Sequence, residues 1–309
     1  MDPRLAEYDE SGFVLEKGLF DQEEVDLLRR SAKEDKQLDD HSFGRNDGEG
    51  GTVRLSLWNH PGQGIYGAFA RCNRLVSIAE LLLRDEPYHY HSKMIMKDAR
   101  VGGAWAWHQD YGYWYSNGVL TPNLVSAFIA VDPATRDNGC LQIIRGSHHC
   151  GRIHHQLTGD QAGADPDRVA QILNRFEHQY VEMAPGDVLF FHSNLLHRSD
   201  QNRSEHPRWS MICCFNGRRN DPYKESHHPR YTPLDRVTDD EIRSIGVRRF
   251  SDDASDVAFL DPDHDGSTQS LKSQVDTPPN AEHASDKQPE NGPIESAAAP
   301  RGGEPTQSE

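Results

Sequence analysis

No run of apolar residues approaches the eighteen or so that a membrane-spanning helix needs, which excludes a helical integral membrane protein. The opening MDPRLAEYDESGF has neither a basic start nor an apolar stretch of the kind that marks a secretory leader, so a cytoplasmic location is expected. Cysteine is scarce. The five cysteines (Cys72, Cys140, Cys150, Cys213 and Cys214) are odd in number and lack C-x-x-C spacing. Reduced thiols fit that pattern better than a disulfide framework or a zinc knuckle. Positive charge is also short, with 33 Lys and Arg against 49 Asp and Glu and a net charge of −16. That balance argues against a nucleic-acid or anionic-membrane partner held by bulk electrostatics, and leaves a small molecule as the expected partner of a monomer or homodimer.

From about Asp265 onward there is no aromatic residue and almost no branched aliphatic. Such a segment cannot bury enough apolar surface to offset chain entropy. The expectation is therefore an ordered domain over 1–262 and a disordered acidic tail over 263–309. The first part of the domain reads as helical. Asp21 and Glu24 form a capping-box pattern at the head of EEVDLLRRSAKEDKQL, and RCNRLVSIAELLLRD puts Leu75, Ile78 and Leu82 on one face. After Pro87 come short runs rich in aromatic and β-branched residues: HYHSKMIMK, AWAWHQD, LVSAFIAVD, CLQII, QYVEM, DVLFF and RWSMICCF. Turn signals such as DNG at 137–139 and PGD at 185–187 separate them. The class is mainly β, a sandwich or barrel with helices flanking its N-terminal side.

Within WHQDYGYW, His108 and Asp110 stand two residues apart, and in a strand such residues share a face. His197, just past the apolar run DVLFF, supplies a third ligand. Two histidines and a carboxylate are the donor set that leaves coordination positions open on iron(II). Arg208, eleven residues beyond His197, heads a strand with Ser210 on the same face; a guanidinium grips a carboxylate bidentately and the hydroxyl adds a donor. Arg203 lies in a more polar loop. His148, His149, His154 and His155 form a rival histidine cluster with the look of exposed loop, and His192 is a rival ligand whose apolar surroundings favour a core role.

Taken in order, WHQDYGYW, NGCLQIIRGSHH, PGDVLFFHSNLLHRSDQN and PRWS resemble the phytanoyl-CoA dioxygenase family, which includes the ectoine hydroxylases, from about Gly12 to Phe215. The resemblance implies a double-stranded β-helix (jelly-roll) core. It also implies Fe(II), 2-oxoglutarate converted to succinate and CO2, and O2 as second co-substrate. It places His108, Asp110 and His197 at the metal-ligand positions and Arg208 at the 2-oxoglutarate arginine. Trp114 falls where the family has an aromatic flanking the co-substrate, Ser199 where it has a pocket hydroxyl, and Lys93 where a basic residue faces the co-substrate. Ectoine hydroxylases carry polar amides in the strand that here reads His91, Ser92, Lys93, Met94, Ile95. Because Asp110 is present, hydroxylation of an unactivated C–H bond is implied rather than halogenation. Two other readings stay open on the residues alone: a non-catalytic jelly-roll module that binds metal or ligand, and a zinc hydrolase using the same three side chains.

Overall fold

Alternation of side chains along the central strands decides the architecture. In a computed structural model, which describes residues 2–247 and 257–261, the larger sheet is antiparallel. Its order is β1 (Phe13–Glu16), β11 (Val188–His192), β6 (Leu124–Ala130), β13 (Arg208–Gly217), β4 (Pro87–Lys97), β3 (Thr52–Trp58) and β2 (Phe43–Asn46). On one face, Met94 and Met96 of β4, Met211, Cys213 and Phe215 of β13, and Val125, Ala127 and Ile129 of β6 share a core with Leu28, Phe69, Leu75 and Leu82. Those last four come from the helices α2 (Gln22–Glu34), α4 (Ile65–Arg71) and α5 (Asn73–Leu83). The alternate residues, Ile95, Ile212, Phe128, Leu189 and Phe191, belong to a second core with Leu141 and Ile143. Leu141 and Ile143 lie in the smaller antiparallel sheet, ordered β10 (His178–Val181), β7 (Leu141–Ile144), β12 (His197–Ser199) and β5 (Trp105–His108). Two sheets facing across an apolar layer follow from this period of two. The result is the jelly-roll core with flanking helices, not closed into a barrel.

Burying a side chain of this size contributes roughly 1.5–3 kcal/mol. Lys93, Lys97 and Arg208 occupy inner-face positions of β4 and β13, where they forgo that gain and lose hydration instead. The inner face stops being core where these three stand.

Local chemistry explains most element ends. Asp21 caps α2 through a complete capping box, its Oδ1 accepting from Glu24 N and Glu24 Oε2 accepting from Asp21 N, each at 3.0 Å. The helical run is broken at Asp35, whose Oδ1 caps the next helix, α3 (Lys36–Asp40), while its Oδ2 accepts from the Tyr66 hydroxyl at 2.9 Å. Strands β1, β2 and β3 lie in the stretch that reads as helical by sequence; β1 pairs with β11, β3 with β4 and β2 with β3, and that pairing selects the extended form. The hairpin of β8 (His155–Thr158) and β9 (Gln161–Ala164) was likewise not anticipated. Among the described residues no helix is long and apolar enough to cross a membrane, and all five cysteines are free thiols. The expected tail, 263–309, lies outside the described residues.

Candidate active site

His108 is the last residue of β5 and His197 the first of β12, and the two are direct partners in the ladder. Their rings lie 4.0 Å apart by centroids. Each is oriented the same way. His108 Nδ1 donates to its own strand's Ala106 carbonyl at 2.8 Å, and His197 Nδ1 donates to the Leu195 carbonyl at 2.9 Å. Carbonyls only accept, so Nδ1 carries the proton and the Nε2 lone pair is left to face inward.

Asp110 is not on the strand, which corrects the sequence expectation. The chain leaves β5 at His108, and Asp110 opens the short helix α6 (Asp110–Trp114). The cause is Gln109. Its buried amide donates to the Gly151 and Asn194 carbonyls at 2.8 and 2.7 Å and accepts from Ile153 N at 2.7 Å, pinning the turn. Asp110 nevertheless reaches the same point: its Oδ1 lies 3.8 Å from His108 Nε2 and 3.9 Å from His197 Nε2. Ligand atoms from the three residues all fall within 4.8 Å of one another, and all three side chains are buried. That spacing suits one divalent ion with ligand bonds of about 2.0–2.2 Å.

The electrostatics fit a cation as well. Burial pushes the Asp110 carboxyl upward, but Lys93, both imidazoles and the Tyr113 hydroxyl outweigh it and bring it down to about 2. Tyr113 donates to Oδ1 and Ser126 to Oδ2, each at 2.8 Å. Burial, reinforced at His108 by its neighbour His197, holds both imidazoles below the usual histidine range, in the neutral form a metal requires.

These three residues line a chamber of about 470 Å³ together with Lys93, Lys97, Ser199 and Arg208. Arg208 is 1% exposed. Its Nη2 donates to the Gly139 carbonyl at 2.7 Å, its Nη1 reaches Ser210 Oγ at 3.2 Å, and its Nε has no partner among the described residues. Lys97 stands directly opposite it in the β4–β13 register, fully buried, and its Nζ donates to the Asp200 carbonyl. Neither cation has a carboxylate partner among the described residues. Burial brings the Arg208 guanidinium down to about 10, and burial together with Arg208 drives Lys97 well below the ordinary lysine range. Two buried cations without an anion are a costly arrangement that a bound carboxylate would relieve.

Gly139 couples this pair to the fold. Its φ is +77°, and a Cβ there would sit 2.3 Å from the Asp200 carbonyl oxygen, the acceptor for Lys97. Gly139→Ala should lower stability by roughly 2–4 kcal/mol, measured as a shift in denaturant midpoint. An unchanged midpoint would show that the turn relaxes freely.

Of the other expected residues, Ser199 and Lys93 line this chamber and Ser210 supports Arg208. Trp114 does not line it; it packs edge-on to Tyr90 and His91 and borders a neighbouring chamber. Arg203 lines a surface cleft away from the three ligands. His192 packs against Tyr8 and His148, and its Nδ1 accepts from Asn194 N, outside the cluster. Of the rival histidines, His155 is buried rather than exposed, and its Nε2 accepts from Gln109 N. Sequence reasoning missed Lys97, although strand spacing from Lys93 carries the signal. It also missed Ser126 as a donor to Asp110, a contact no spacing reveals, and Tyr113, whose i+3 position tells only once Asp110 is known to open a helix.

The profile of a family described as "Phytanoyl-CoA dioxygenase (PhyH)" matches residues 8–210. The chain belongs to the phytanoyl-CoA dioxygenase family. It is 30% identical over 186 residues to the L-proline trans-4-hydroxylase of Streptomyces griseoviridis, covering 55% of this chain and 69% of that one. It is 28% identical over 247 residues to the ectoine dioxygenase of Halomonas elongata, covering 74% of each. The structure of EctD from S. alaskensis in its apoform shares the fold, with a TM-score of 0.67 at 24% identity over 77% of this chain and 87% of that one. As a phytanoyl-CoA dioxygenase family member the protein is a 2-oxoglutarate-dependent dioxygenase, whose cofactor and co-substrates are Fe(II), 2-oxoglutarate and O2.

Proposed function

We propose that the protein hydroxylates an unactivated C–H bond of a small-molecule substrate, with succinate and CO2 as co-products. His108, Asp110 and His197 hold the iron. Arg208, supported by Ser210 and joined by Lys97 and Ser199, holds the far carboxylate of 2-oxoglutarate. One observation carries the reading: a buried two-histidine, one-carboxylate cluster shares its chamber with a buried arginine that has no anion of its own. A zinc hydrolase has no use for that arginine, and nothing favours a non-catalytic module.

Bound iron with 2-oxoglutarate supplies the oxidising chemistry. This chain's side chains hold and shield it. The Nδ1–H bonds to Ala106 and Leu195 fix which nitrogen each histidine presents. Tyr113 and Ser126 hold the carboxylate as an anion and set its angle. Phe128, Leu141, Phe191 and Ile212 line the rest of the chamber and exclude water from the charged groups, which strengthens every interaction inside. The unreplaced carboxylate of Asp110 supports hydroxylation over halogenation.

Protein purified without air should carry one Fe(II) per chain and convert 2-oxoglutarate to succinate. A chelator should abolish the conversion, Fe(II) should restore it, and Zn(II) should not. Activity recovered with zinc alone would sink the assignment.

A further inference from the structure

A second chamber of about 520 Å³ adjoins the first, sharing Lys93 and Trp105 with it, and contains polar groups that iron and 2-oxoglutarate do not use. Its apolar walls are Leu55, Leu57, Trp105 and Trp114. His91 and His228 face into it, 2% and 4% exposed, their rings stacked at 4.5 Å with 14° between planes. Burial holds both imidazoles well below the usual histidine range, helped at His91 by His228 and Lys93, so both are neutral. His228 Nδ1 is paired with Asn59 Oδ1 at 3.0 Å, whereas His91 Nδ1 has no partner among the described residues.

The charge belongs to Lys93. It lines both chambers and lowers the Asp110 carboxyl through space, but among the described residues no hydrogen bond or close ion pair holds it. The far carboxylate of 2-oxoglutarate falls to Arg208 and Lys97, which are opposite each other in register. Lys93 is opposite Ile212, four residues along β4 from Lys97, a separation of about 13 Å at strand rise. Its ammonium is therefore left for another anion, on the wall between metal site and side chamber. The other charged groups lining the side chamber, Arg45 and Asp160, are half-buried and exposed.

We infer that the prime substrate is a small carboxylic acid, bound in the side chamber with its carboxylate on Lys93 and its hydrocarbon body against Leu55, Leu57 and Trp105, beside the stacked His91 and His228 rings. This rests on the iron and 2-oxoglutarate reading above. An acyl thioester presents no carboxylate at its acyl end and is disfavoured.

The test is a binding measurement without turnover. Protein loaded with Fe(II) and 2-oxoglutarate under nitrogen is titrated with L-proline, hexanoate and benzoate, each beside its primary amide, and tryptophan fluorescence reports occupancy next to Trp105 and Trp114. At least one acid should bind about tenfold or more tightly than its amide, the usual size of one charge-assisted contact. Lys93→Met should shrink that ratio to within about twofold, and Lys93→Arg should retain it. Amides binding as well as acids, or no acid binding up to about 10 mM, overturns the inference; so does a Lys93→Met protein that keeps the ratio. If Lys93→Met does not fold, the wild-type acid and amide comparison decides alone. Succinate release by wild-type protein in air, with no prime substrate added, tests the iron reading separately. Its absence would sink that reading, while the acid-to-amide ratio, repeated on metal-free protein, would still stand or fall by itself.

Discussion

Asp110→Ala protein should hold iron at well below one per chain and form succinate at least about a thousandfold more slowly than wild type. The loss should exceed the 10–100-fold typical of removing an outer partner of a ligand, because the ligand itself goes. The argument is electrostatic as much as geometric. Without the carboxylate the site is two neutral imidazoles beside Lys93, a combination that repels a divalent ion instead of collecting one. The hydroxyls of Tyr113 and Ser126 also lose their acceptor. Asp110→Asn separates shape from charge: the amide keeps an oxygen for one of those donors and nearly the same volume, yet iron should still be lost. Metal content measured anaerobically, with succinate release, checks both variants. Native succinate formation by Asp110→Ala would reject the site.

Arg208→Met should weaken 2-oxoglutarate binding by about two to four orders of magnitude, since truncating one partner of a buried charge pair costs about 3–5 kcal/mol. Arg208→Lys should recover only part of that, because an ammonium lacks the planar fork. The sign of the stability effect runs the other way. With no co-substrate bound, Arg208 is a buried cation facing Lys97 across the ladder, and neither has a carboxylate partner among the described residues. Replacing it with a side chain of similar volume removes that repulsion at the loss of two hydrogen bonds, so Arg208→Met without ligand should be as stable as wild type or more so. Calorimetric titration with 2-oxoglutarate and thermal unfolding without it measure the two effects. A variant that both unfolds earlier and binds normally would show Arg208 to be structural.

The sequence signals divide by range. His108 and Asp110 were legible as a two-residue pair, and Arg208 by its place eleven residues past His197 at the head of a strand; His197 itself, 87 residues beyond Asp110, and the jelly-roll core rested on apolar runs and the family resemblance. Asp110 converges on the same point for a different reason than strand alternation. A glutamine clamped by segments some forty and eighty-five residues away ends β5 and starts a helix, and no local pattern carries that. Trp114, in the same short helix, is likewise turned toward Tyr90 and His91 rather than toward Arg208. Strands β1 and β3 were unreadable because their extended form is imposed by partners far along the chain, and β2 is extended only through its hairpin with β3. Lys97 was readable and was overlooked: a lysine in period with Lys93 on an otherwise apolar face is a local signal.

The two imidazoles are locked by main-chain carbonyls two residues upstream, Ala106 within β5 and Leu195 just ahead of β12. Every amino acid brings the same carbonyl. The side chain at 106 can therefore change without turning the His108 ring, whereas Leu195, fully buried in the second core, is held by its packing and not by this hydrogen bond. Each ligand arrives as a self-orienting cassette of three residues, and its aim is written in the main chain.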